Sequence, residues 1–171
     1  MPAAEQGVAL SHDRFKLIPR VLCFVTHGAD VLLLKGAATK KIWAGKYNGL
    51  GGHVERGEGA AAAALREIRE ESGLAVHALR LRGVVTIDTG EAAGIGLYVY
   101  TAQAAARAVT ASAEGGLEWV PAGRLAEYAL VEDLYTLLPH VLAMAPDAPP
   151  FSAHYHYDAH DRWVITFDDQ P

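Results

Sequence analysis

The sequence predicts an α/β fold in which a mixed β-sheet is covered by helices on both faces. Runs of apolar and β-branched residues, typical of strands, recur between turn signals, and two helical segments are interleaved with them. The length of 171 residues, with 51% apolar and 20% charged residues, fits one globular domain. We predict an N-terminal arm over residues 1–14 and a single domain over residues 15–171 that ends in a hairpin.

Glycine- and asparagine-containing turns separate the predicted strands. The Ala-rich stretch 104–113 indicates neither a helix nor a strand. The strands are predicted, in chain order, over residues 20–26, 31–35, short segments within 47–54, 76–87, 95–102, 117–120, and the terminal hairpin of 151–157 and 162–167.

Two helices are predicted between these strands. The first spans residues 59–72, where Ala, Leu, Arg, Glu and Ile are compatible with a helix, and Gly73 is expected to end it. The second spans residues 131–144, where Pro139 is expected to strain or divide the helix. A helical turn is predicted at residues 124–128.

Composition limits the partners and the compartment that we expect. The net charge of −5 gives no general attraction to nucleic acid polymers or to anionic membranes, so we expect neither as a partner. No stretch is long and apolar enough to span a membrane, and the N-terminus lacks the apolar core of a signal peptide. Cys23 is the one cysteine and cannot form an internal disulfide, which favours a reducing cytoplasm. We expect a monomer or a homodimer.

Three carboxylates lie at helical spacing on the first predicted helix. Glu67, Glu70 and Glu71 fall at i, i+3 and i+4, which places them on one helix face. Like charges so close repel each other, so local stability argues against the arrangement unless a divalent cation binds there. Carboxylate oxygens suit a hard ion such as Mg2+. Arg66 can pair with Glu70 or with Glu58.

The stretch from Gly52 to Leu74 adds a fixed spacing to these carboxylates. It reads GHVERGEGAAAAALREIREESGL, which is G-x5-E-x7-R-E-U-x-E-E-x-G-U with U an aliphatic residue. This pattern resembles the Nudix box at every fixed position. The resemblance implies the Nudix α/β/α sandwich, with a mixed sheet and a catalytic loop-helix-loop. It also implies a metal-dependent hydrolase that cuts a diphosphate linked to another group.

The resemblance also implies roles for individual residues. The stretch from Glu114 to Trp119 resembles the acidic loop of the family, with Glu114 the better match to its glutamate and Glu118 the weaker one. We expect Glu70 or Glu114 to accept a proton from the attacking water. Mg2+, for which Mn2+ substitutes, is expected to be bound by the Gly52 carbonyl and by Glu67, Glu70, Glu71 and Glu114. The expected catalytic residues are Glu58, Arg66, Glu70 and Glu114.

Residues outside the box resemble MutT-like hydrolases of oxidised purine nucleoside triphosphates. The run GKYNGLGG resembles their G-x-W-N-G-x-G-G run, which implies that Asn48 binds the purine, although asparagine is also common in turns. Glu132 and Asp133 resemble the acidic pair that reads the oxidised base, with Leu130 in place of a Trp. Acidic residues also suit the start of a helix. Lys35 is a candidate phosphate contact.

These features predict a Mg2+-dependent pyrophosphohydrolase of oxidised purine nucleoside triphosphates such as 8-oxo-dGTP, which releases a nucleoside monophosphate and pyrophosphate. A first alternative is a Nudix hydrolase of a dinucleoside polyphosphate, a nucleotide sugar or a capped RNA end. A second alternative is a nucleotide-sensing Nudix module. Such modules commonly lose glutamates of the box, whereas this chain keeps all of them.

Overall fold

The computed structural model of this protein describes Gly7 and residues 14–38, 42–110 and 115–168. These residues form eight strands, two α-helices and a 3-10 helix, which spans Ala122–Glu127. The helices are α1 (Ala60–Ser72) and α2 (Leu134–Ala143). The strands are β1 (Lys16–His27), β2 (Asp30–Gly36), β3 (Tyr47–Asn48), β4 (Val76–Ile87), β5 (Ala93–Ala104), β6 (Gly115–Pro121), β7 (Phe151–Tyr157) and β8 (Trp163–Phe167).

The eight strands of the described residues form one mixed sheet in the order β3-β2-β1-β5-β4-β7-β8, and β6 also pairs with β2. β1 runs parallel to β5, from Lys16 opposite Ala93 to Thr26 opposite Gln103. β4 runs parallel to β7, and the remaining pairs are antiparallel. The hairpin of β7 and β8 confirms the predicted C-terminal hairpin.

Alternating side chains of β1 supply two separate cores. One set contacts α1, whose Ala63, Ala64 and Ile68 are fully buried. The other set contacts α2, whose buried face includes Leu134 and Leu138. Because successive strand residues point to opposite faces, the two helices cover opposite sides of the sheet. The predicted mixed sheet with helices on both faces is confirmed.

The predictions for the second helix need correction. α2 begins at Leu134, three residues later than predicted, and it continues through Pro139 without division. Proline removes one backbone hydrogen bond from a helix interior. The buried apolar face that begins with Leu134 and ends with Val141 packs against the sheet, and this packing keeps the helix intact.

Several predicted segments fall partly or wholly outside the described residues. Of the predicted arm over residues 1–14, only Gly7 and Arg14 are described. Residues 111–114 at the end of the ambiguous stretch are not described, and residues 105–110 contain neither a helix nor a strand. None of the helices in the described ranges is long and apolar enough to cross a membrane.

We predict that the buried side of α1 carries most of its contribution to stability. Ile68→Ala should lower the free energy of unfolding by about 2–5 kcal/mol, because it removes buried methyl groups and leaves a cavity. Leu65 lies on the same helix but is 46% exposed, so Leu65→Ala is the matched control and should cost less than about 1 kcal/mol. Urea denaturation measures both values, and equal losses would show that α1 does not depend on this core.

Candidate functional site

The loop that precedes α1 lies directly on strand β1. The Val21 N–H donates to the Gly52 carbonyl at 2.9 Å, and Cys23 and Leu50 exchange two backbone hydrogen bonds. Gly51 has a φ of 151°, and a Cβ there would lie 2.1 Å from the Val21 carbonyl oxygen. Only a residue without a side chain allows this approach. The conformation brings the loop beside the C-terminal half of α1.

Arg66 is the centre of the site. Its guanidinium donates to both carboxylate oxygens of Glu58, at 2.7 and 3.2 Å, and to the carboxylates of Glu67 at 2.8 Å and Glu70 at 3.1 Å. It also donates to the His53 carbonyl at 3.0 Å. The sequence allowed a pair with Glu58 or with Glu70, and the structure contains both pairs as well as the contact with Glu67.

The charges around Arg66 do not balance. The hydrogen bonds of Arg66 to Glu58 and then to Glu67 raise the pKa of the guanidinium. The bonds between Arg66 and Glu58 also lower the pKa of the Glu58 carboxyl. Three carboxylates nevertheless share one cation, Glu71 on α1 adds a fourth negative charge, and Arg69 in the last turn adds one further positive charge. Glu70 and Glu71 also lie in the last turn of α1, where the helix dipole disfavours negative charge. An excess of negative charge therefore remains.

Two of the carboxylates lie against the part of this loop that contains Gly51 and Gly52, which we call the glycine loop. The Gly51 N–H donates to Oε2 of Glu71 at 2.9 Å, and Glu71 is only 6% exposed. A Cβ added at Gly52 would lie 2.4 Å from Oε1 of Glu67. Glycine at position 52 therefore leaves the space that the Glu67 carboxylate occupies. By contrast, the side chain of Glu70 is 59% exposed at the edge of the site.

The oxygen-only donor set and the excess negative charge fit a hard divalent cation. Within the described ranges, no three His, Cys, Asp or Glu side chains are already arranged as ligands around one point. The described carboxylates converge instead on Arg66. The Gly52 carbonyl, which was expected to bind the metal, accepts the Val21 N–H, and a carbonyl oxygen retains a second lone pair. Glu114 lies outside the described residues.

A second group of side chains surrounds Tyr47 on the α2 side of the sheet. Tyr47 lies opposite Lys35 in the β2–β3 pair, and Glu118 lies opposite Leu33 in the β2–β6 pair. Lys35 and Leu33 share a strand face, so Lys35, Tyr47 and Glu118 do as well. The Tyr47 hydroxyl donates to Glu118, and the Lys35 ammonium lies 5.3 Å from the centre of the Tyr47 ring.

Sequence reasoning missed the contact between Tyr47 and Glu118. The resemblance of residues 114–119 to the acidic loop of the family favours Glu114 over Glu118, because this resemblance involves neighbouring residues alone. Alternation along β6 could have placed Glu118 on the opposite face from Trp119. The pairing of β6 with the same strand that pairs with β3 has no local signal, and this pairing brings Tyr47 and Glu118 together.

Asn48 is the last residue of β3 and lies opposite Leu34 of β2, next to this group. Its Oδ1 accepts the Gly49 N–H at 2.8 Å. The backbone of Tyr47 also binds the segment before α2. Its N–H donates to the Ala129 carbonyl, and its carbonyl accepts from the Val131 N–H. Leu130 is 2% exposed and packs in the core, so it offers no face for stacking on a base.

The predicted acidic pair differs in exposure. Glu132 is exposed, whereas Asp133 is half-buried at the N-terminus of α2. Burial raises the pKa of the Asp133 carboxyl, and the charge of Glu132 adds to this effect, while backbone N–H groups act in the opposite direction. Burial therefore contributes more to this shift than the neighbouring carboxylate of Glu132 does.

Tyr155 adds a second constrained group near Asp133. Burial and then the charge of Asp133 raise the pKa of the Tyr155 hydroxyl. Tyr155 is fully buried, and its hydroxyl has no hydrogen-bond partner among the described residues. A buried hydroxyl without a partner and a half-buried carboxylate both cost stability. Such costs are typical of functional sites.

We predict that Asp133→Asn stabilises the fold at neutral pH. Because the folded-state pKa of Asp133 is raised, the carboxyl costs no stability below its unfolded pKa of about 4. The cost grows as the pH rises through the folded pKa and is complete above it. Asparagine keeps the preferred N-cap chemistry and carries no charge. The Tm of the variant should exceed that of the parent at pH 7.5.

Thermal unfolding at pH 7.5 and pH 4 measures this effect. The gain in Tm should shrink at pH 4, where the aspartate of the parent protein also becomes protonated in both states. Glu132→Gln is the matched control and should give a smaller change, because Glu132 is exposed. A Tm of Asp133→Asn at or below that of the parent at pH 7.5 would show that the buried charge is not a cost.

Comparison with known proteins agrees with this architecture. The MutT protein of Bacillus halodurans superposes with a TM-score of 0.75 at 24% identity, covering 91% of this chain and 100% of that chain. This likeness shows the fold. A curated relative from Danio rerio, an oxidized purine nucleoside triphosphate hydrolase, is 39% identical over 88 residues, which are 51% of this chain and 54% of the relative.

A second curated relative has a different named substrate. The NAD-capped RNA hydrolase NudC of Pseudomonas syringae pv. syringae (strain B728a) is 35% identical over 83 residues, which are 46% of this chain and 29% of the relative. The chain therefore spans between about a third and about a half of the length of these curated relatives. The NUDIX domain family matches residues 16–141, which are most of the chain. The chain belongs to the Nudix family.

Proposed function

We propose that this chain is a Mg2+-dependent pyrophosphohydrolase of nucleoside triphosphates. It acts on oxidised purines such as 8-oxo-dGTP and releases a nucleoside monophosphate and pyrophosphate. The observation that carries the proposal is the carboxylate cluster around Arg66, which holds more negative charge than one guanidinium balances. The Nudix match and the hydrolase names of the relatives support an enzyme that cuts a pyrophosphate bond.

Nudix hydrolases generally use divalent metal ions. In this proposal, Glu67, Glu70, Glu71 and the Gly52 carbonyl hold Mg2+ or Mn2+, together with Glu114. A bound divalent ion neutralises phosphate charge and lowers the pKa of water. Arg66 orients the carboxylates that it contacts. Glu70, which is exposed at the edge of the site, or Glu114 accepts the proton of the attacking water.

The substrate side of the proposal uses residues around β3 and the start of α2. Lys35 is exposed at the end of β2 and contacts a phosphate. Asn48 offers an amide donor and acceptor to the purine edge. Glu132 and Asp133 read the oxidised base, because oxidised guanine carries a proton at N7 where guanine has an acceptor. Burial raises the pKa of Asp133 and so favours the protonated form more than in an exposed aspartate, and the protonated form both donates and accepts.

The proposal includes a small nucleotide as the partner, a cytoplasmic location, and a monomer or homodimer. Cys23 supports the location, because it is fully buried and burial raises the pKa of its thiol. A thiol in this state behaves as an inert core residue that needs no oxidising compartment. The domain extends over residues 15–171 and includes the β7–β8 hairpin, which packs against the α2 core through Phe151 and Tyr155.

The similarity to NudC favours a second candidate function. A Nudix hydrolase of another nucleotide-linked compound, such as a capped RNA end, a nucleotide sugar or a dinucleoside polyphosphate, would use the same carboxylate cluster. The distinction between the candidates lies in the base and in the group beyond the diphosphate. Only residues outside the cluster can make that distinction.

A substrate panel tests the two candidates directly. We would measure kcat/KM for 8-oxo-dGTP, dGTP, NADH, ADP-ribose, diadenosine tetraphosphate and NAD-capped RNA, and identify each product by chromatography. The proposed function requires the highest kcat/KM for 8-oxo-dGTP, with the nucleoside monophosphate and pyrophosphate as products. A higher kcat/KM for NAD-capped RNA or for a dinucleotide would replace it with the second candidate.

We predict that Glu71→Gln abolishes metal-dependent hydrolysis. The substitution keeps the shape of the side chain and removes the charge that a hard cation requires, so kcat should fall by roughly several hundredfold or more. Glu127→Gln is the control, because Glu127 is an exposed glutamate that contacts Arg124 on the 3-10 helix. Circular dichroism checks the fold of both variants. Retention of most activity by the Glu71 variant would remove Glu71 from the metal site.

We predict that the acidic pair sets the preference for the damaged base. Asp133→Asn and Glu132→Gln should each lower the ratio of kcat/KM for 8-oxo-dGTP to that for dGTP by more than about threefold, which is less than one neutral hydrogen bond is worth. Parallel assays of the two nucleotides measure the ratio. If neither variant shifts it by this amount, the pair serves only the start of α2.

A further inference from the structure

The proposed chemistry leaves the Tyr47–Glu118 pair without a role. The Tyr47 hydroxyl donates to Oε2 of Glu118 at 2.5 Å, and the Tyr47 ring packs edge-to-face on Tyr128 at 5.3 Å. Glu118 is exposed, and its carboxylate has no other hydrogen-bond partner in the described ranges. A carboxylate has about four acceptor sites, and Tyr47 occupies one of them, so most acceptor sites of Glu118 remain open to solvent.

The geometry of the pair is fixed from the tyrosine side. Tyr47 is 7% exposed and belongs to the α2 core, so its ring position is set by packing. Its hydrogen bond to Glu118, followed by burial, raises the pKa of Tyr47 to about 12. The hydroxyl therefore stays protonated near neutral pH and acts as the donor. One oxygen of Glu118 is held in place while the other remains available.

Tyr47 also lies between the candidate base residues and the candidate phosphate residue. Asn48 follows Tyr47 directly. The backbone of Tyr47 hydrogen-bonds to Ala129 and Val131, in the segment that leads into Asp133. Lys35 lies over its ring on the opposite strand. In a nucleotide, the sugar joins the base to the phosphates. A carboxylate attached to Tyr47 is therefore placed beside the sugar.

We propose that Glu118 determines specificity for the sugar, through a carboxylate that accepts a hydrogen bond from a sugar hydroxyl, and that Tyr47 is the positioning residue that holds this carboxylate. Carboxylates bind ribose hydroxyls in the same way in dinucleotide-binding folds. The inference rests on the proposed function, because Asn48 and Lys35 mark the base and the phosphates only if the chain binds a nucleotide.

The test pairs a variant with a change in the substrate. Glu118→Ala should lower kcat/KM for 8-oxo-dGTP about tenfold, mainly through KM, because it removes a charge-assisted hydrogen bond to the 3′-hydroxyl. The 2′,3′-dideoxy counterpart lacks that hydroxyl, so its kcat/KM should fall less than about threefold. Glu127→Ala is the matched control and should leave both values within about twofold.

A second variant separates positioning from structural support. Tyr47→Phe keeps the buried ring and removes only the hydroxyl, so it should lose less than Glu118→Ala and only with the hydroxyl-bearing nucleotide. The double variant should be no worse than Glu118→Ala, because Tyr47 acts through Glu118. Additive losses, with folding confirmed by circular dichroism, would overturn the positioning role.

The outcomes distinguish the sugar contact from the proposed function. Equal losses on both nucleotides, with hydrolysis by the parent protein intact, overturn the sugar contact alone. No turnover of 8-oxo-dGTP by the parent protein overturns the proposed function. In that case, calorimetric binding of dGTP and 2′,3′-dideoxy-GTP in EDTA decides the sugar contact. Support then requires a loss of affinity on Glu118→Ala for dGTP only, and equal losses or no binding overturn the contact.

Discussion

One guanidinium, that of Arg66, organises the site. It connects the loop, through Glu58 and the His53 carbonyl, to the helix, through Glu67 and Glu70. Without this cation, the carboxylates would repel each other, and the loop would lose the contacts of Glu58 and His53 with α1. With it, the carboxylates are held close together while a net negative charge remains. Such a cluster is ordered before a ligand binds, which reduces the entropy lost on binding.

The carboxylates of α1 contact the glycine loop because α1 packs closely on the sheet. The helix packs through small side chains, and the Cys23 thiol lies 4.0 Å from the Ala64 carbonyl oxygen. Larger residues in place of the alanines would move the helix away from β1. The Gly51 N–H reaches the Glu71 carboxylate only because both α1 and the loop lie directly on this strand. The position of the α1 carboxylates thus depends on the apolar packing of this helix against the sheet.

Local signals predicted most of the fold and the pairing of Arg66 with nearby carboxylates. The box spacing predicted α1 and its end at Gly73, which adopts a left-handed φ of 70°, because helix and cap depend on neighbouring residues. The contact of Tyr47 with Glu118 could not be predicted, because it depends on two strands that pair with the same strand, β2. The burial of Asp133 likewise depends on tertiary packing, which neighbouring residues in the sequence do not reveal.

The surroundings of Glu58 and Asp133 shift the pKa values of these two carboxyls in opposite directions. Around Arg66, hydrogen bonds from a cation lower the pKa of Glu58 and favour ionised oxygens, which is the state that a hard cation binds. At the start of α2, burial raises the pKa of Asp133 and favours a protonated carboxyl, which can both donate and accept. Ionised carboxylates suit phosphate chemistry through a metal, whereas a carboxyl that is easily protonated suits recognition of a base edge. In the proposed function, the cluster around Arg66 serves the phosphates and the start of α2 serves the base.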